Sequence, residues 1–154
     1  MNASQLLNII QENLKDYPID YLRKKATDER YPDSITKKLA KYNTSVYDDI
    51  YGTVILDDFV VNDNIIENFT SDIEFYFDEY LPGDIETREF TKYISLYLVL
   101  IAKKPLHPYS EDRADEVYHF NGDYFCKNRI KHIRDERSLC RYCICKNVGF
   151  HGMF

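Results

Sequence analysis

The sequence predicts a mainly α-helical fold, a helical bundle with a small C-terminal β-hairpin and cysteine module. Three observations carry that expectation. Up to residue 104, apolar residues recur at helical spacing in segments bounded by capping residues and prolines. Asn121-Gly122 lies between V-Y-H-F and D-Y-F-C, a hairpin signature because a type I′ turn needs positive φ at both central residues. All four cysteines, Cys126, Cys140, Cys143 and Cys145, fall near the C-terminal end in the pattern C-x13-C-x2-C-x-C.

The first helix is expected over 4–15, with Leu6, Leu7, Ile9, Ile10 and Leu14 on one face and Ser4 as its N-cap. Pro18 separates it from a second helix around 21–28. Asp33, after Pro32, caps a third through Ile35, Leu39 and Tyr42, and 46–51 reads as a further turn or two. The run T-V-I-L-D-D-F-V-V at 53–61 is β-branched but has no evident partner strand, so it is read as helix or buried loop. Asn62 or Asp63 caps a long helix carrying Ile65, Ile66, Phe69, Ile73, Phe77 and Tyr80, which Pro82-Gly83 stops. Asp84 then caps a helix from Phe90 to Ile101 that is apolar almost all round, the pattern of a central buried helix. Lys103, Lys104 and Pro105 end it. The chain thus divides into a helical domain, 1–104, and a cysteine-rich module, 105–154, that folds back on it.

The 154 residues suit one domain with a small appendage, and 44% hydrophobic content supports a core without disulfides. The fourteen Tyr and nine Phe, with abundant Ile, Asn and Lys, fit the codon bias of an AT-rich genome and are given no functional weight. No basic, apolar leader opens the chain. Its most apolar stretch, 93–102, is half of the roughly 20 residues that cross a bilayer. A cytoplasmic protein without membrane contact is expected, in a compartment where thiols stay reduced.

Reduced thiols so closely grouped point to a metal ion. Zinc takes four ligands in a tetrahedron. Cys140 and Cys143 form the C-x2-C turn pair and Cys126 reaches in from the hairpin. The fourth ligand is Cys145, one residue beyond Cys143, or His107, held between Pro105 and Pro108; His119 and His132 are further options. A closed shell of this kind is structural, and a small module with few apolar residues needs such a staple. A 4Fe-4S cluster, a redox-active thiol and inert buried cysteines are the other readings.

Charge is unevenly spread around a net of −6. Residues 44–90 hold thirteen acids and one Arg, whereas 126–146 holds seven bases and two acids. The basic segment 127–146, with Tyr124, Phe125 and Tyr142 nearby, is a candidate surface for nucleic acid or a protein partner, or it packs on the chain's own acidic helices. Enzyme motifs are lacking. Glu116-x-x-His119 is a single di-iron-like pair where two are needed. Asp72, Glu74, Asp78 and Glu79 read as a solvated helix face, Ser138 as a turn residue, and no phosphate loop, dinucleotide fingerprint or nucleophile elbow occurs. The function these features imply is a metal-binding protein acting as a binding or adaptor module, with an iron–sulfur or thiol-based redox enzyme as the alternative.

The run Y-I-S-L-Y-L-V-L-I-A-K-K-P-L-H-P at 93–108, the hairpin to Tyr124-Phe125-Cys126 and the later L-C-R-Y-C-I-C-K together resemble an uncharacterised protein family of methanogenic archaea. The similarity is strongest over about 85–146. It maps the shared motif positions to His107, Cys126, Cys140 and Cys143 and leaves Cys145 outside the pattern, which favours His107 as fourth ligand. Tyr109-Ser110-Glu111 stands where the family has a Gly/Pro-rich loop. The resemblance implies an archaeal cytosolic origin and no substrate.

Overall fold

The computed structural model describes residues 1–30 and 34–148. Five helices pack around one apolar core: α1 (Ala3–Leu14), α2 (Ile19–Ala26), α3 (Ile35–Gly52), α4 (Asp63–Tyr80) and α5 (Ile85–Leu96). α5 passes without a break into a π-helical turn, Tyr97–Ala102. α1 lies against α3, α5 and the π-turn; α2 packs on α3, and α4 on α5. Leu6, Ile10, Leu14, Ile50, Phe69, Ile73 and Leu98 are the fully buried centre.

Most boundaries follow from local chemistry. Pro18 stands at the N-cap of α2. The Asn62 side chain accepts the Asn64 and Ile65 N–H groups at the start of α4, and Asp84 accepts the Thr87 N–H at the start of α5. Gly83, at φ +86°, makes the turn between them in the left-handed region.

Four expectations are corrected. Asn2, not Ser4, caps α1: its N–H donates to Gln5 Oε1 at 2.8 Å, while Ser4 is drawn to Asp58. Asp33 lies outside the described residues; Ser34 is the N-cap of α3, accepting from the Lys37 N–H at 3.0 Å. The turns at 46–51 belong to that same helix. Residues 53–61 are neither helical nor buried as a unit. They form an irregular segment that bends at Leu56 and Asp57 and then pairs with the chain start, the Phe59 carbonyl accepting from the Ala3 N–H at 2.7 Å and the Val61 N–H donating to the Met1 carbonyl at 2.8 Å. Only Val61 is buried there; Val54 and Leu56 are 76% and 89% exposed. The segment's single-strand pairing to the start of α1 replaces the sheet that its β-branched residues lack.

The expected central helix at 85–104 is real but not uniformly α-helical. Its last six residues widen into the π-turn, which buries Tyr97, Leu98, Val99 and Leu100 in succession. Lys103 closes it at φ +56°, and the Lys104 N–H donates to the Leu98 carbonyl at 2.9 Å. Tyr97 Oη and Thr53 Oγ1 form a 2.8 Å hydrogen bond.

After Pro105 come the hairpin strands β1 (Val117–Phe120) and β2 (Asp123–Cys126), the short helix α6 (Arg129–His132), a 3₁₀ turn (Leu139–Arg141) and β3 (Lys146–Asn147). The hairpin register, Val117↔Cys126 through Phe120↔Asp123, leaves Asn121 and Gly122 as the two-residue turn. Both have positive φ, +51° and +80°. β3 adds in parallel to β2 through Phe125↔Lys146 and Cys126↔Asn147. Among the described residues no helix is long and apolar enough to cross a membrane.

Candidate metal centre

The C-terminal segment is fixed to the bundle at two places. Tyr142 stacks on the buried Phe69 ring of α4, with centroids 4.4 Å apart and planes 13° apart. Its hydroxyl donates to Asp72 Oδ2 at 2.5 Å, and Arg141 reaches the same oxygen at 3.1 Å. On the other side, Tyr42 of α3 donates to the carbonyl of the fully buried Pro105 at 2.5 Å. Tyr42 also meets Tyr109 edge-on, and Tyr109 meets Tyr124 of the hairpin at 4.9 Å. Burial pushes the Tyr42 hydroxyl well above its ordinary pKa.

Between these anchors lies a cavity of about 630 Å³ bounded by α3, α4, α5 and the C-terminal segment. Cys126, Cys140, Cys143, Cys145 and His107 all line it, and His132 does too. The fold accomplishes this in simple steps. The hairpin ends at Cys126, β3 pairs beside it immediately after Cys145, and the 3₁₀ turn carries Cys140 and presents Cys143, whose N–H donates to the Cys140 carbonyl at 3.3 Å. All four thiols are free.

Two of the sulfurs sit in backbone cradles. Burial pushes the Cys126 thiol up, opposed by the backbone N–H groups of Asn128 and Arg129, which favour its thiolate. Cys143 is brought down to about 6 by a hydrogen bond from the Cys145 thiol, which overcomes burial with help from the N–H groups of Cys145 and Leu106 and from nearby His107. Cys145 is pushed upward by the same contact, so the two thiols ionise as a pair in which charge on one disfavours charge on the other. Cys126 and Arg129 act on Cys145 in turn. The structure thus brings Cys126, Cys143 and Cys145 into electrostatic contact, with His107 beside Cys143 and Cys140 on the shared cavity wall. Among the described residues no set of three or more His, Cys, Asp or Glu side chains is already arranged to hold an ion.

The other candidates lie elsewhere. His119, on β1, faces Glu111 at 3.2 Å, and Glu116 bonds Asn128, so the E-x-x-H spacing is structural. Much of the basic segment is engaged internally. Arg137 and Arg141 approach Asp72, Lys146 pairs with Asp123 at 3.0 Å, Arg129 bonds Asn147, and Lys127 caps the carbonyls of Arg113 and Ala114. Sequence reasoning missed Asp72 as the docking point; its position among surface-type acids gave no sign of burial. Leu106 was also missed, since its contribution is a backbone N–H.

Residues 2–148 match the family model described as an uncharacterized protein conserved in archaea, DUF2115. The chain belongs to this family. A UPF0305 protein of Methanocaldococcus jannaschii is 24% identical to this DUF2115 chain over 161 residues, covering 96% of the chain and 98% of the relative. Two UPF0305 proteins of Methanococcus maripaludis, strains C5 and C7, are each 33% identical over 64 residues, 40% of the chain and 38% of the relative. No solved structure matches. The archaeal family inferred from the sequence is therefore the right one.

Proposed function

We propose that this DUF2115 chain binds one structural zinc ion through Cys126, Cys140, Cys143 and Cys145, fastening the C-terminal segment to the helices. The observation that carries the reading is that four cysteines from three separate local structures line a single cavity. Cys143 is held below its ordinary pKa, and backbone N–H groups at Cys126 oppose the upward push of burial there. The thiols are not preset at bonding geometry. Metal binding therefore has to draw them together, which folds the ion's affinity into the stability of the segment. Zinc in four thiolates has no open position, so the role is architectural. With most of its cations committed internally, the segment suits a protein partner better than a phosphate backbone.

The test is metal content by mass spectrometry on protein purified without added metal, together with the visible spectrum. Zinc near one equivalent and a colourless solution support the reading; the broad visible absorption of an iron–sulfur cluster replaces it. Cys140→Ser, Cys145→Ser and His107→Ala, compared for retained zinc, identify the fourth ligand. The contact between Cys143 and Cys145 favours one second reading, a thiol pair that closes to a disulfide while an acceptor takes two electrons. Metal-free protein with a reversibly oxidised Cys143–Cys145 pair selects it.

A further inference from the structure

The cavity that holds the thiols is much larger than an ion requires. Its volume, about 630 Å³, falls in the range of roughly 300–1,000 Å³ typical of small organic ligand sites. Its two sides differ in chemistry. The helices supply an apolar, aromatic wall that includes Phe75, Tyr76 and Tyr80 of α4 and Ile94 of α5. The C-terminal segment supplies the thiols and Arg129. Arg129 is only partly satisfied. One guanidinium nitrogen donates to Asn147 Oδ1 at 3.2 Å, while its buried Nε has no hydrogen-bond partner among the described residues. The Asn147 contact leaves the other guanidinium N–H groups of this permanently charged, half-buried side chain to meet an acceptor in the cavity.

We propose that this cavity binds a small organic monocarboxylate, its carboxylate accepting from Arg129 and its apolar body lying on the aromatic wall. A single charge is proposed because Arg129 shares the lining with Asp135, and the second guanidinium there, Arg137, already lies 4.1 Å over the Phe75 ring and faces Asp72 at 3.9 Å. Neither the aromatic wall nor Arg129 is a ligand in the zinc reading, so the two proposals are tested by separate measurements.

Calorimetry on the full chain, with 2-naphthoate and its neutral isostere 2-naphthamide as probes, tests this. Saturable naphthoate binding, about tenfold or more tighter than naphthamide, is expected from one charge-assisted contact. Arg129→Met should abolish that preference while naphthamide binding changes little. Thr91→Trp, which fills the cavity from a half-buried position on α5, should remove binding of both. Absence of saturable naphthoate binding, equal affinity for acid and amide, or binding that survives Thr91→Trp overturns the proposal. Should Arg129→Met fail to fold, the acid-to-amide ratio and Thr91→Trp still decide it. Zinc measured in each sample keeps the two readings apart: zinc-free protein that binds naphthoate contradicts only the metal centre, and zinc-bearing protein that ignores it contradicts only the ligand site.

Discussion

Asp72→Ala is the sharpest test of how the C-terminal segment is held. Asp72 is 9% exposed and accepts from Tyr142 Oη at 2.5 Å and Arg141 Nη2 at 3.1 Å. A hydrogen bond to a charged group contributes about 1.5–3 kcal/mol, and the Tyr142 contact belongs in that range. Arg141 is 37% exposed, so solvent screening reduces its share to below about 1 kcal/mol. Arg137, at 3.9 Å with a side chain 54% exposed, adds nothing countable. Removing the carboxylate also removes its own desolvation cost, which offsets part of the loss. The net destabilisation is about 2 kcal/mol, or roughly 4–8 °C in Tm for a chain of this size. Urea unfolding of Asp72→Ala, Tyr142→Phe and the double variant gives the coupling between the two residues, expected at about 1.5 kcal/mol. Hydrogen exchange should quicken at amides 139–147 before it changes in α1 or α5. A coupling energy below about 0.5 kcal/mol would refute the assignment of Asp72 as the docking point.

Three other perturbations address separate parts of the molecule. Cys126→Ser and Cys140→Ser should each lose the bound zinc and lower stability by about 3 kcal/mol at metal concentrations near a hundredfold above Kd, read by metal analysis and melting; retained metal with an unchanged melt contradicts the centre. Lys92, 8% exposed, lies between Glu74 and Glu89 at 2.9 and 2.8 Å. Lys92→Met should cost roughly 1–2 kcal/mol in denaturant titration, because both glutamates are exposed enough to rehydrate. Burial disfavours charge on Glu89, but Lys92 and Arg88 outweigh it and hold the carboxyl below its ordinary 4.5. That stabilisation is complete above pH 4.5 and is lost as pH falls through the depressed value, so wild-type Tm should fall more steeply in acid than that of Lys92→Met. Gly122→Ala places a Cβ at φ +80° and should cost about 1 kcal/mol, seen as faster exchange in the hairpin.

The helices were legible because their signals are local. Pro18, Asn62, Gly83 and Asp84 act on their immediate neighbours, and the hairpin turn is dictated by two adjacent residues. Failures occurred where a distant contact decided the outcome. Ser4 has good N-cap chemistry, but Asp58, more than fifty residues away in sequence, claims it. Residues 53–61 look like a strand or a buried segment by composition, yet their extended pairing is set by the start of α1. The gathering of cysteines was visible in spacing alone, and the fold places them on one cavity. What spacing did not convey is that Cys143 and Cys145 ionise as a coupled pair, since that depends on where β3 begins. Nor did it show Arg137 and Arg141 turned toward α4, because a run of cations reads the same in solvent as in an internal ion pair.

The π-turn at Tyr97–Ala102 has a consequence for everything that follows it. Such a turn accommodates one residue more than an α-helix of equal height, so it acts as a phase adjuster in the chain. Rewinding the same residues as a regular α-helix, with none removed, would advance the downstream backbone by about one α-helical residue, roughly 100° of rotation and about 1.5 Å of rise. Pro105 would swing away from Tyr42, and His107 with it, although the helix would be better formed than before. The irregular turn thus sets the angular offset between the helices and the cysteine-bearing segment, and a locally tidier chain would be globally misaligned.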